Sequence, residues 1–532
     1  MPPELPRISD YLFHYAQRTP DKVFLISSGQ QVTYAEAALQ VAALSRSLLS
    51  SGVGVGDRVA TMASPSTEFV LTFLATVDIG GIWLGLNPKY TFGELQHVMV
   101  DCSPSVVFGP VDHDGPTGPD DLATGFGAIT QPKIITFGGE LAESTSFTEF
   151  LRAGELLSDD ARVQARNHAG GERPALIVYT SGTTGVPKGA VLSHTSLCWS
   201  FARQGHRWGG AAMRVICNLP INHSGCVGDI FSSALTAGGT VVLMERFDPD
   251  RMLEVIESER VNTLMQIPTM YQILAARPSF KTADLSSLRT VVWGGAAMPG
   301  PVLKAFARPG VATAVVYGQS EAPASITFSE PDASWDQLTS TLGRPDPDME
   351  VRLARVDGAE CSLGEPGEIQ IRHSSTFLEY FGNPEATRAA FTGDGFLHTG
   401  DVAVEMPDGY FKMVGRMKEM FKSGGSNVYP REIELALEKH PDVTMAVVVS
   451  LADELYGEIG HAFVVLREGA AVAVDDLVSW CRERLANYKV PKGITQETEL
   501  PMLPIGKPDR RALQQTAIEF HEAAKAFRME NA

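Results

Sequence analysis

The chain has 532 residues, a formal net charge of −19, 44% hydrophobic residues and 20% charged residues. This length exceeds what a single hydrophobic core normally supports, so we expect more than one domain. The composition is that of a folded protein rather than a disordered one. The acidic balance argues against binding to nucleic acid or to an anionic membrane surface.

The six cysteines are scattered along the chain, and neither a C-x-x-C nor an H-E-x-x-H spacing occurs. This pattern predicts reduced thiols in a cytoplasmic protein rather than a zinc site or a disulfide scaffold. The N-terminal residues have no signal-peptide pattern, so none is predicted. The most apolar stretch, Phe69–Leu86, is interrupted by Asp78, Gly80 and Gly81. We therefore interpret it as a buried helix leading into a strand, not as a transmembrane segment.

Short apolar runs alternate with helical patterns along the first part of the chain. The spacing of Ala37, Val41 and Leu44 predicts a helix, and Thr67–Ile79 is a second predicted helix. The predicted strands are Arg58–Ala63, Pro174–Tyr179, Arg214–Leu219, Thr240–Met244, Asn262–Gln266, Leu288–Trp293 and Val311–Val316. This alternation predicts α/β layers with largely parallel sheets.

Later segments predict loops and a second, smaller domain. Residues 109–132 and 329–348 are rich in Gly, Pro and Asp, which predicts surface loops. Past Gly393 we predict a hairpin turning at Pro407–Gly409, a helix beginning at Pro430, strands Val443–Leu451 and His461–Leu466, and a final helix around residues 513–527. We place the domain boundary near residue 416, which gives domains of residues 1–415 and 416–532.

The strongest local signal is the segment Tyr179–Gly189, with the sequence YTSGTTGVPKG, directly after an apolar strand. Its glycines let backbone N–H groups turn toward a ligand. Its side chains add three hydroxyl groups and a cation, from Ser181, Thr183, Thr184 and Lys188. The segment therefore predicts a polyphosphate-binding loop. It is not a Walker A loop, because G-x-x-x-x-G-K-[ST] is absent.

This segment resembles the core signature of the adenylate-forming superfamily, which includes acyl-CoA synthetases, nonribosomal adenylation domains and luciferases. Four more segments resemble that superfamily's other motifs, in the same order: Tyr317–Glu321, His398–Asp401, Gly415–Glu434 and Pro504–Arg511. The chain is most similar to a stand-alone acyl-CoA synthetase. The resemblance implies a large N-terminal domain of layered α/β subdomains with mostly parallel sheets, followed by a small, mobile α+β C-terminal domain.

The resemblance also implies an ATP site. Its phosphate loop would be formed by Thr180, Ser181, Gly182, Thr183, Thr184, Gly185 and Lys188. Tyr317, followed by Gly318 and Ser320, would stack on adenine, although a tyrosine ending a strand also fits a core position. Glu321, with Thr184, would bind Mg²⁺, a cation that prefers oxygen ligands.

The C-terminal motifs resemble those that act on the ribose and in catalysis. Asp401 would accept hydrogen bonds from the ribose hydroxyls, and Arg416 would contact ribose or phosphate. Lys418 would be the hinge of the small domain. Lys507 would stabilise the anionic transition state as a carboxylate attacks the α-phosphate of ATP.

A second step is implied by the same resemblance, in which the thiol of CoA attacks the acyl-adenylate. The turn Ser423, Gly424 and Gly425 would then face the pantetheine arm. The reaction would be an ATP-dependent acid–CoA ligation that releases AMP and pyrophosphate.

The carboxylate pocket is defined by weaker signals. His223 resembles the residue that gates the acyl site, while Gly295 and Ala296 resemble a pocket wall beside the nucleotide. No Asp stands in the immediate neighbourhood of His223, which disfavours amino acids. We expect an apolar short- or medium-chain, cyclic or aryl acid. Ser320 replaces the usual Thr, and Pro508 follows Lys507 where an aliphatic residue is common.

Alternatives remain at this point. Transfer of the acyl group to a carrier protein uses the same motifs as transfer to CoA. The segment Gly318–Ala322 imitates the nucleophile elbow of an α/β hydrolase, with Ser320 as nucleophile, but the elbow requires a following helix and the residues after it favour a strand. A non-catalytic nucleotide sensor would be expected to lose Glu321 or Lys507, and both are present. An oligomer is compatible with the sequence.

Overall fold

The computed structural model describes residues 3–112, 132–139, 141, 144–180, 187–502 and 508–530, without the side chains of residues 523–530. The chain forms two compact units. The first comprises Met1–Val351 with Ile371–Leu397, and the second comprises Arg352–Gln370 with His398–Ala532. The domain boundary predicted near residue 416 stays a prediction.

The α-helices alternate with the strands, as the sequence pattern predicts. They are α1 (Ile8–Arg18), α2 (Tyr34–Ser50), α3 (Thr67–Asp78), α4 (Phe92–Cys102), α5 (Phe147–Gly154), α6 (Asp159–Arg166), α7 (His194–Trp208), α8 (Ser233–Ala237), α9 (Pro249–Ser258), α10 (Pro268–Ala276), α11 (Gly300–Phe306), α12 (Trp335–Ser340), α13 (Pro384–Ala389), α14 (Pro430–Glu438), α15 (Val474–Arg482) and α16 (Arg510–Glu530). None of the helices in the described ranges is long and apolar enough to cross a membrane.

The strands are short and form four sheets. They are β1 (Val23–Ser27), β2 (Gln30–Thr33), β3 (Arg58–Met62), β4 (Ile82–Leu86), β5 (Val106–Pro110), β6 (Lys133–Phe137), β7 (Thr145–Ser146), β8 (Pro174–Thr180), β9 (Lys188–Ser193), β10 (Arg214–Cys217), β11 (Thr240–Leu243), β12 (Thr263–Gln266), β13 (Thr290–Trp293), β14 (Ala312–Gln319), β15 (Ala322–Phe328), β16 (Arg344–Pro345), β17 (Glu350–Ala354), β18 (Pro366–Arg372), β19 (Glu379–Tyr380), β20 (Leu397–Glu405), β21 (Phe411–Arg416), β22 (Phe421–Ser423), β23 (Ser426–Val428), β24 (Val443–Asp453), β25 (Gly457–Leu466) and β26 (Gly493–Glu497).

Two large sheets form the framework of the first unit. One has the strand order β16-β15-β14-β13-β12-β10-β11-β1-β2, and the other has the order β19-β9-β8-β4-β3-β5-β6-β7. Their central strands pair in parallel, and the antiparallel pairs lie toward the edges. The prediction of mostly parallel sheets is therefore confirmed. In such sheets, ligands bind beyond the carboxyl ends of the strands.

The second unit contains a five-stranded sheet whose two faces are covered by helices. Strands β23, β22, β25 and β24 pair antiparallel, and β26 adds in parallel to β25. Alternation along β24 places Val448 in the core under α14 and α15, while Val447 and Val449 pack with Leu513 of α16. This arrangement confirms the predicted α+β class of the smaller domain.

Two local features differ from the sequence-based expectations or go beyond them. The segment 329–348, predicted as a loop, contains the short helix α12, which begins with a capping box between Ser334 and Gln337. A helix of six residues is too short for its hydrophobic periodicity to reveal it.

The residues Gly225–Ser232 form a π-helix, a rare conformation that often occurs at functional sites. The predicted loop at 109–132 lies mainly outside the described residues.

A buried histidine at the start of α7 is expected to make the stability of the fold depend on pH. His194 is 0% exposed, and among the described residues neither ring nitrogen has a hydrogen-bond partner. Burial, followed by the charge of Arg7, lowers the pKa of His194 to about 3. An unfolded histidine titrates near pH 6.5, so the unfolded state takes up this proton first as the pH falls.

We expect the stability from His194 to be complete above pH 6.5 and to decline as the pH falls from 6.5 toward 3. At pH 5 the loss is on the order of 2 kcal/mol. His194→Leu should flatten the fall of the denaturation temperature between pH 7 and pH 5, whereas His206→Leu, at an exposed site on the same helix, should not. Parallel pH profiles for the wild type and His194→Leu would contradict this assignment.

Candidate active site

The two ends of the predicted phosphate loop are held together by strand pairing in the first unit. Thr180 ends β8 and Lys188 begins β9, and the two residues are antiparallel partners. The hydroxyl oxygen of Thr180 lies 3.5 Å from the carbonyl oxygen of Lys188. The candidates between them lie outside the described residues: Ser181, Gly182, Thr183, Thr184 and Gly185. Strands β8 and β9 therefore hold the two ends of the loop. Both lie near one end of the eight-stranded sheet, in which β8 also pairs with β4.

Glu321 lies beside the start of this loop, although the two are far apart in sequence. Its Oε1 accepts a hydrogen bond from the hydroxyl of Thr180 at 3.4 Å and another from the hydroxyl of Tyr380 at 2.8 Å. Glu321 stands in the turn between β14 and β15, so an edge of each large sheet contributes to this cluster. The result is a carboxylate held at one end of the predicted phosphate loop.

Tyr380 links the carboxylate to the loop lysine. Burial and the negative charge of Glu321 raise the pKa of Tyr380, so its hydroxyl stays protonated and donates to the carboxylate. The ammonium nitrogen of Lys188 lies 5.2 Å from the centroid of the Tyr380 ring, within cation–π distance. The cluster thus holds an anion, a cation and a hydroxyl around the place where the loop begins.

The aromatic motif after β13 combines a buried ring with a close backbone approach. Tyr317 is 8% exposed on β14 and lies opposite Thr327 of β15. At Gly318 an added Cβ would lie 1.9 Å from the carbonyl oxygen of Ala324, so only glycine fits there. Ala324 itself has a positive φ of 63°. Strand β15 follows directly, which excludes the strand–turn–helix of a hydrolase elbow around Ser320.

The predicted gate segment packs beside this motif. The Oγ atoms of Ser224 and Ser320 are 3.3 Å apart. The Nδ1 of His223 accepts the main-chain N–H of Gly225 at 3.0 Å, which fixes the ring at the entry of the π-helix. The predicted gate is therefore placed next to the Tyr317–Glu321 motif.

A further tyrosine, which sequence reasoning missed, contacts the segment of the predicted gate. The amide nitrogen of Asn222 donates to the hydroxyl of Tyr90 at 2.8 Å. Burial raises the pKa of Tyr90, so its hydroxyl remains neutral. Tyr90 precedes α4, and no motif in the sequence singled it out. The contact orients the residue immediately before His223.

Gly295 and Ala296 follow the buried end of β13, as predicted. Gly295 has a positive φ of 81°, and both residues are exposed. The strand ends at Trp293, which is 1% exposed. A sharp turn at the carboxyl end of a parallel strand is the place where α/β sheets bind ligands.

In the second unit, an ion pair joins the two strands of a hairpin. Asp401, 4% exposed, pairs in register with Arg416, whose Nε donates to its Oδ1 at 3.0 Å. Gly400 adopts a positive φ of 73° and donates its N–H to Glu368 at 3.0 Å. The hydroxyl of Thr399 donates to the carbonyl oxygen of Ile369 at 2.6 Å. The T-G-D motif is therefore fixed by hydrogen bonds on both sides of Gly400.

The remaining candidates of the second unit lie at turns. Lys418 is exposed shortly after β21. Ser423, at 1% exposure, begins a hairpin turn in which Gly424 and Gly425 both have positive φ. The N–H of Gly424 donates to the carbonyl oxygen of Tyr456 at 2.8 Å. These glycines are required by the turn itself, and they leave its outer side open.

Lys507 lies outside the described residues, but both flanks of its segment are anchored. Met502 and Pro508 form an isolated antiparallel β-bridge. Arg510 donates to Glu434 at 2.7 Å and to the carbonyl oxygen of Val448 at 2.9 Å. The two described residues that flank the segment of Lys507, Met502 and Pro508, are therefore adjacent in the second unit.

The family model of the AMP-binding enzyme matches residues 12–381, and that of the AMP-binding enzyme C-terminal domain matches residues 432–507. The chain belongs to the AMP-binding enzyme family. It shares 34% identity with a feruloyl-CoA synthase of Amycolatopsis, over 92% of this chain and 95% of that protein. It shares 32% identity with an indoleacetate–CoA ligase of Aromatoleum aromaticum, over 94% and 96% of the two chains.

Solved structures agree with the fold of this AMP-binding enzyme. ATP-bound MatB of Rhodopseudomonas palustris matches with a TM-score of 0.84 and 28% identity, over 97% of this chain and 99% of that one. The predicted superfamily, the fold class and an ATP-dependent acid–CoA ligase are confirmed by these findings. ATP and CoA as substrates fit the same relatives.

Proposed function

We propose that this AMP-binding enzyme activates an apolar aryl, cyclic or short- to medium-chain carboxylate as an acyl-adenylate and transfers it to CoA. The observation that carries the proposal is the cluster of Thr180, Lys188, Glu321 and Tyr380, which places a carboxylate and a cation at the start of a phosphate loop. The aryl acids in the names of the two relatives support the aryl class.

Mg²⁺ fits the donors present at this cluster. Mg²⁺ usually keeps several waters and is held by one or two carboxylates together with substrate phosphates. Glu321 supplies one carboxylate, and no group of three or more His, Cys, Asp or Glu side chains able to hold a metal occurs in the described part of the chain. We therefore propose that Glu321 and Thr184 are the protein ligands and that nucleotide phosphates are the other anionic ligands.

The other roles follow the resemblance and the local geometry. We propose that the loop from Thr180 to Lys188 binds the β- and γ-phosphates and that Tyr317 lies against adenine. Asp401 would accept hydrogen bonds from the ribose hydroxyls, and its ion pair with Arg416 keeps the carboxylate oriented. Gly295 and Ala296 would line the adenylate beside the acyl group.

Chemistry would proceed in two displacements. The carboxylate oxygen attacks the α-phosphorus and pyrophosphate leaves, with Lys507 stabilising the developing negative charge. After rotation about Lys418, the CoA sulfur attacks the acyl carbon, loses its proton and displaces AMP. The turn of Ser423, Gly424 and Gly425 would border the pantetheine arm, and His223 would gate the acyl site. A carrier-protein thiol is the alternative acceptor.

The free cysteines are typical of a protein in a reducing compartment. All six are free, and the sulfurs of Cys217 and Cys226 are only 3.4 Å apart without being bonded. Free thiols this close persist where the redox poise keeps disulfides reduced. We therefore place the reaction in the cytoplasm.

The test is pyrophosphate release by the purified protein with ATP, Mg²⁺ and a panel of aliphatic, cyclic and aryl acids, with and without CoA. Release that rises with CoA, together with AMP and an acyl-CoA thioester identified by mass, is the expected result. Release that is indifferent to CoA, with acyl-adenylate retained on the enzyme, would instead support carrier-protein loading. No release with any acid of the panel would overturn the proposed substrate class.

A further inference from the structure

Helix α4 contacts the described residues at both ends of the predicted phosphate loop. Met99, on the apolar side of this helix, lies in the same hydrophobic core as Ile177 of β8 and Val191 of β9. This packing fixes the helix beside the two strands that carry the ends of the loop. Polar side chains of α4 therefore act on the loop from a fixed position.

The first contact is to the end of the loop that leads into β9. The Nε2 atom of His97 lies 2.8 Å from the carbonyl oxygen of Pro187. A carbonyl oxygen only accepts, so Nε2 carries the proton and donates it. Pro187 directly precedes Lys188, and the peptide between them is planar, so holding its oxygen also orients the chain as it enters Lys188. His97 therefore acts on the lysine whose ammonium nitrogen lies 5.2 Å from the centroid of the Tyr380 ring.

The second contact is to the end of β8 that leads into the loop. The hydroxyl of Tyr179 donates to Oδ2 of Asp101 at 2.6 Å. Burial raises the pKa of Tyr179, so the hydroxyl keeps its proton. Tyr179 pairs with Gly189 of β9, where an added Cβ would lie 3.2 Å from Cζ of the Tyr179 ring. The tyrosine is thus held by α4 on one side and packed closely against the opposite strand.

The two contacts come from one face of α4. His97 and Asp101 are four residues apart, so their side chains lie one helical turn from each other on the same face. The rings of His97 and Tyr179 also meet edge to face, with their centroids 6.2 Å apart. Glycine loses more backbone freedom than other residues when its conformation is fixed, so a glycine-rich loop closes on a ligand at a high entropic cost. Ends that are held in place beforehand reduce the cost of binding.

We propose that His97 is a positioning residue for ATP binding, which holds the peptide after Pro187 so that Lys188 is directed at the β- and γ-phosphates. Asp101 does the same for the other end of the loop, through Tyr179. The inference rests on the proposed function, in which this loop binds those phosphates. It adds to the ATP site a helix whose residues no sequence motif singled out.

The test compares the binding of ATP and of AMP by calorimetry, with Mg²⁺ and without acid or CoA. AMP has no β- or γ-phosphate, so its affinity reports on the rest of the nucleotide site. His97→Phe keeps an aromatic ring but has no N–H to donate. We expect this variant to bind ATP about three- to tenfold more weakly, the effect of one hydrogen bond, and to bind AMP as the wild type does. His97→Gln, whose amide N–H can replace Nε2 as the donor, should recover most of the ATP affinity.

A second variant examines the other end of the loop. Tyr179→Phe removes the hydroxyl that donates to Asp101 and keeps the ring beside Gly189. Its affinity for ATP should fall by a similar factor, again without a change for AMP. His168→Phe, at an exposed histidine of the same unit, is the matched control and should bind both nucleotides as the wild type does.

Wild-type ATP affinity in His97→Phe would overturn the inference, whichever result Tyr179→Phe gives. Equal losses of ATP and AMP affinity in His97→Phe would also overturn it, because a role directed at the β- and γ-phosphates spares AMP. Wild-type ATP affinity in Tyr179→Phe alone would overturn the part assigned to Asp101. A wild type that releases no pyrophosphate with any acid of the panel would instead contradict the proposed function, so the two failures are distinguishable.

Discussion

Lys507→Ala is expected to slow acyl-adenylate formation by about 10²–10³, the range found when one donor to a developing anion is removed. The reacting carboxylate and the α-phosphate are both anionic, so negative charge is crowded in the transition state and a lysine cation offsets it there. Binding of ATP should change much less, because this interaction forms mainly in the transition state. Single-turnover formation of acyl-adenylate measures the effect directly.

The second half-reaction provides the discriminating comparison. If Lys507 serves only adenylation, the variant should still convert supplied acyl-adenylate and CoA to thioester at close to the wild-type rate. Lys412→Ala, at an exposed lysine of the same unit, is the charge-matched control. An equal loss in both half-reactions would contradict the assigned role and indicate a structural defect.

The framework of the fold was predictable because its core strands are continuous apolar runs. The run from Pro174 to Tyr179, for example, matches β8 to within one residue. Burial on both faces of a parallel sheet demands such runs, and glycine-rich turns delimit them. The short helix Trp335–Ser340 was not predictable in this way, since its capping box is a local signal without a hydrophobic face long enough to detect.

Prediction of the site depended on how local its determinants are. The loop at Thr180 and the turn at Glu321 are contiguous motifs, so the sequence indicates each one separately. Their contact through Tyr380 depends on strand β19 pairing with β9, a long-range event that no local pattern encodes.

Glu321→Gln is expected to lower the rate of adenylation by about 10² while leaving the protein folded. The amide keeps the shape of the carboxylate and can still accept the hydroxyl protons of Thr180 and Tyr380. It removes the negative charge that the proposed Mg²⁺ requires, and metal stabilisation of phosphoryl charge is worth several kcal/mol. The loss should be accompanied by a higher Mg²⁺ concentration for half-maximal activity.

Tyr380→Phe tests the hydrogen bond that orients the carboxylate of Glu321 without changing its charge. It removes one hydrogen bond to the carboxylate but leaves the charge of Glu321 and the aromatic face beside Lys188. We expect a loss of about tenfold or less, because one hydrogen bond to a charged group is involved, with little change in Mg²⁺ requirement. Glu385→Gln, at an exposed glutamate of the same unit, should behave as the wild type.

Comparing the two variants shows whether Glu321 acts as a metal ligand or only as an acceptor of structural hydrogen bonds. If it is only such an acceptor, both variants should lose folding stability, and the larger loss should follow the missing hydrogen bond in Tyr380→Phe. If Glu321 is a metal ligand, Glu321→Gln should need a higher Mg²⁺ concentration for half-maximal activity and should keep its denaturation temperature. Thermal denaturation and Mg²⁺ titration of the two variants therefore decide between them, since charge and hydrogen bonding are removed one at a time.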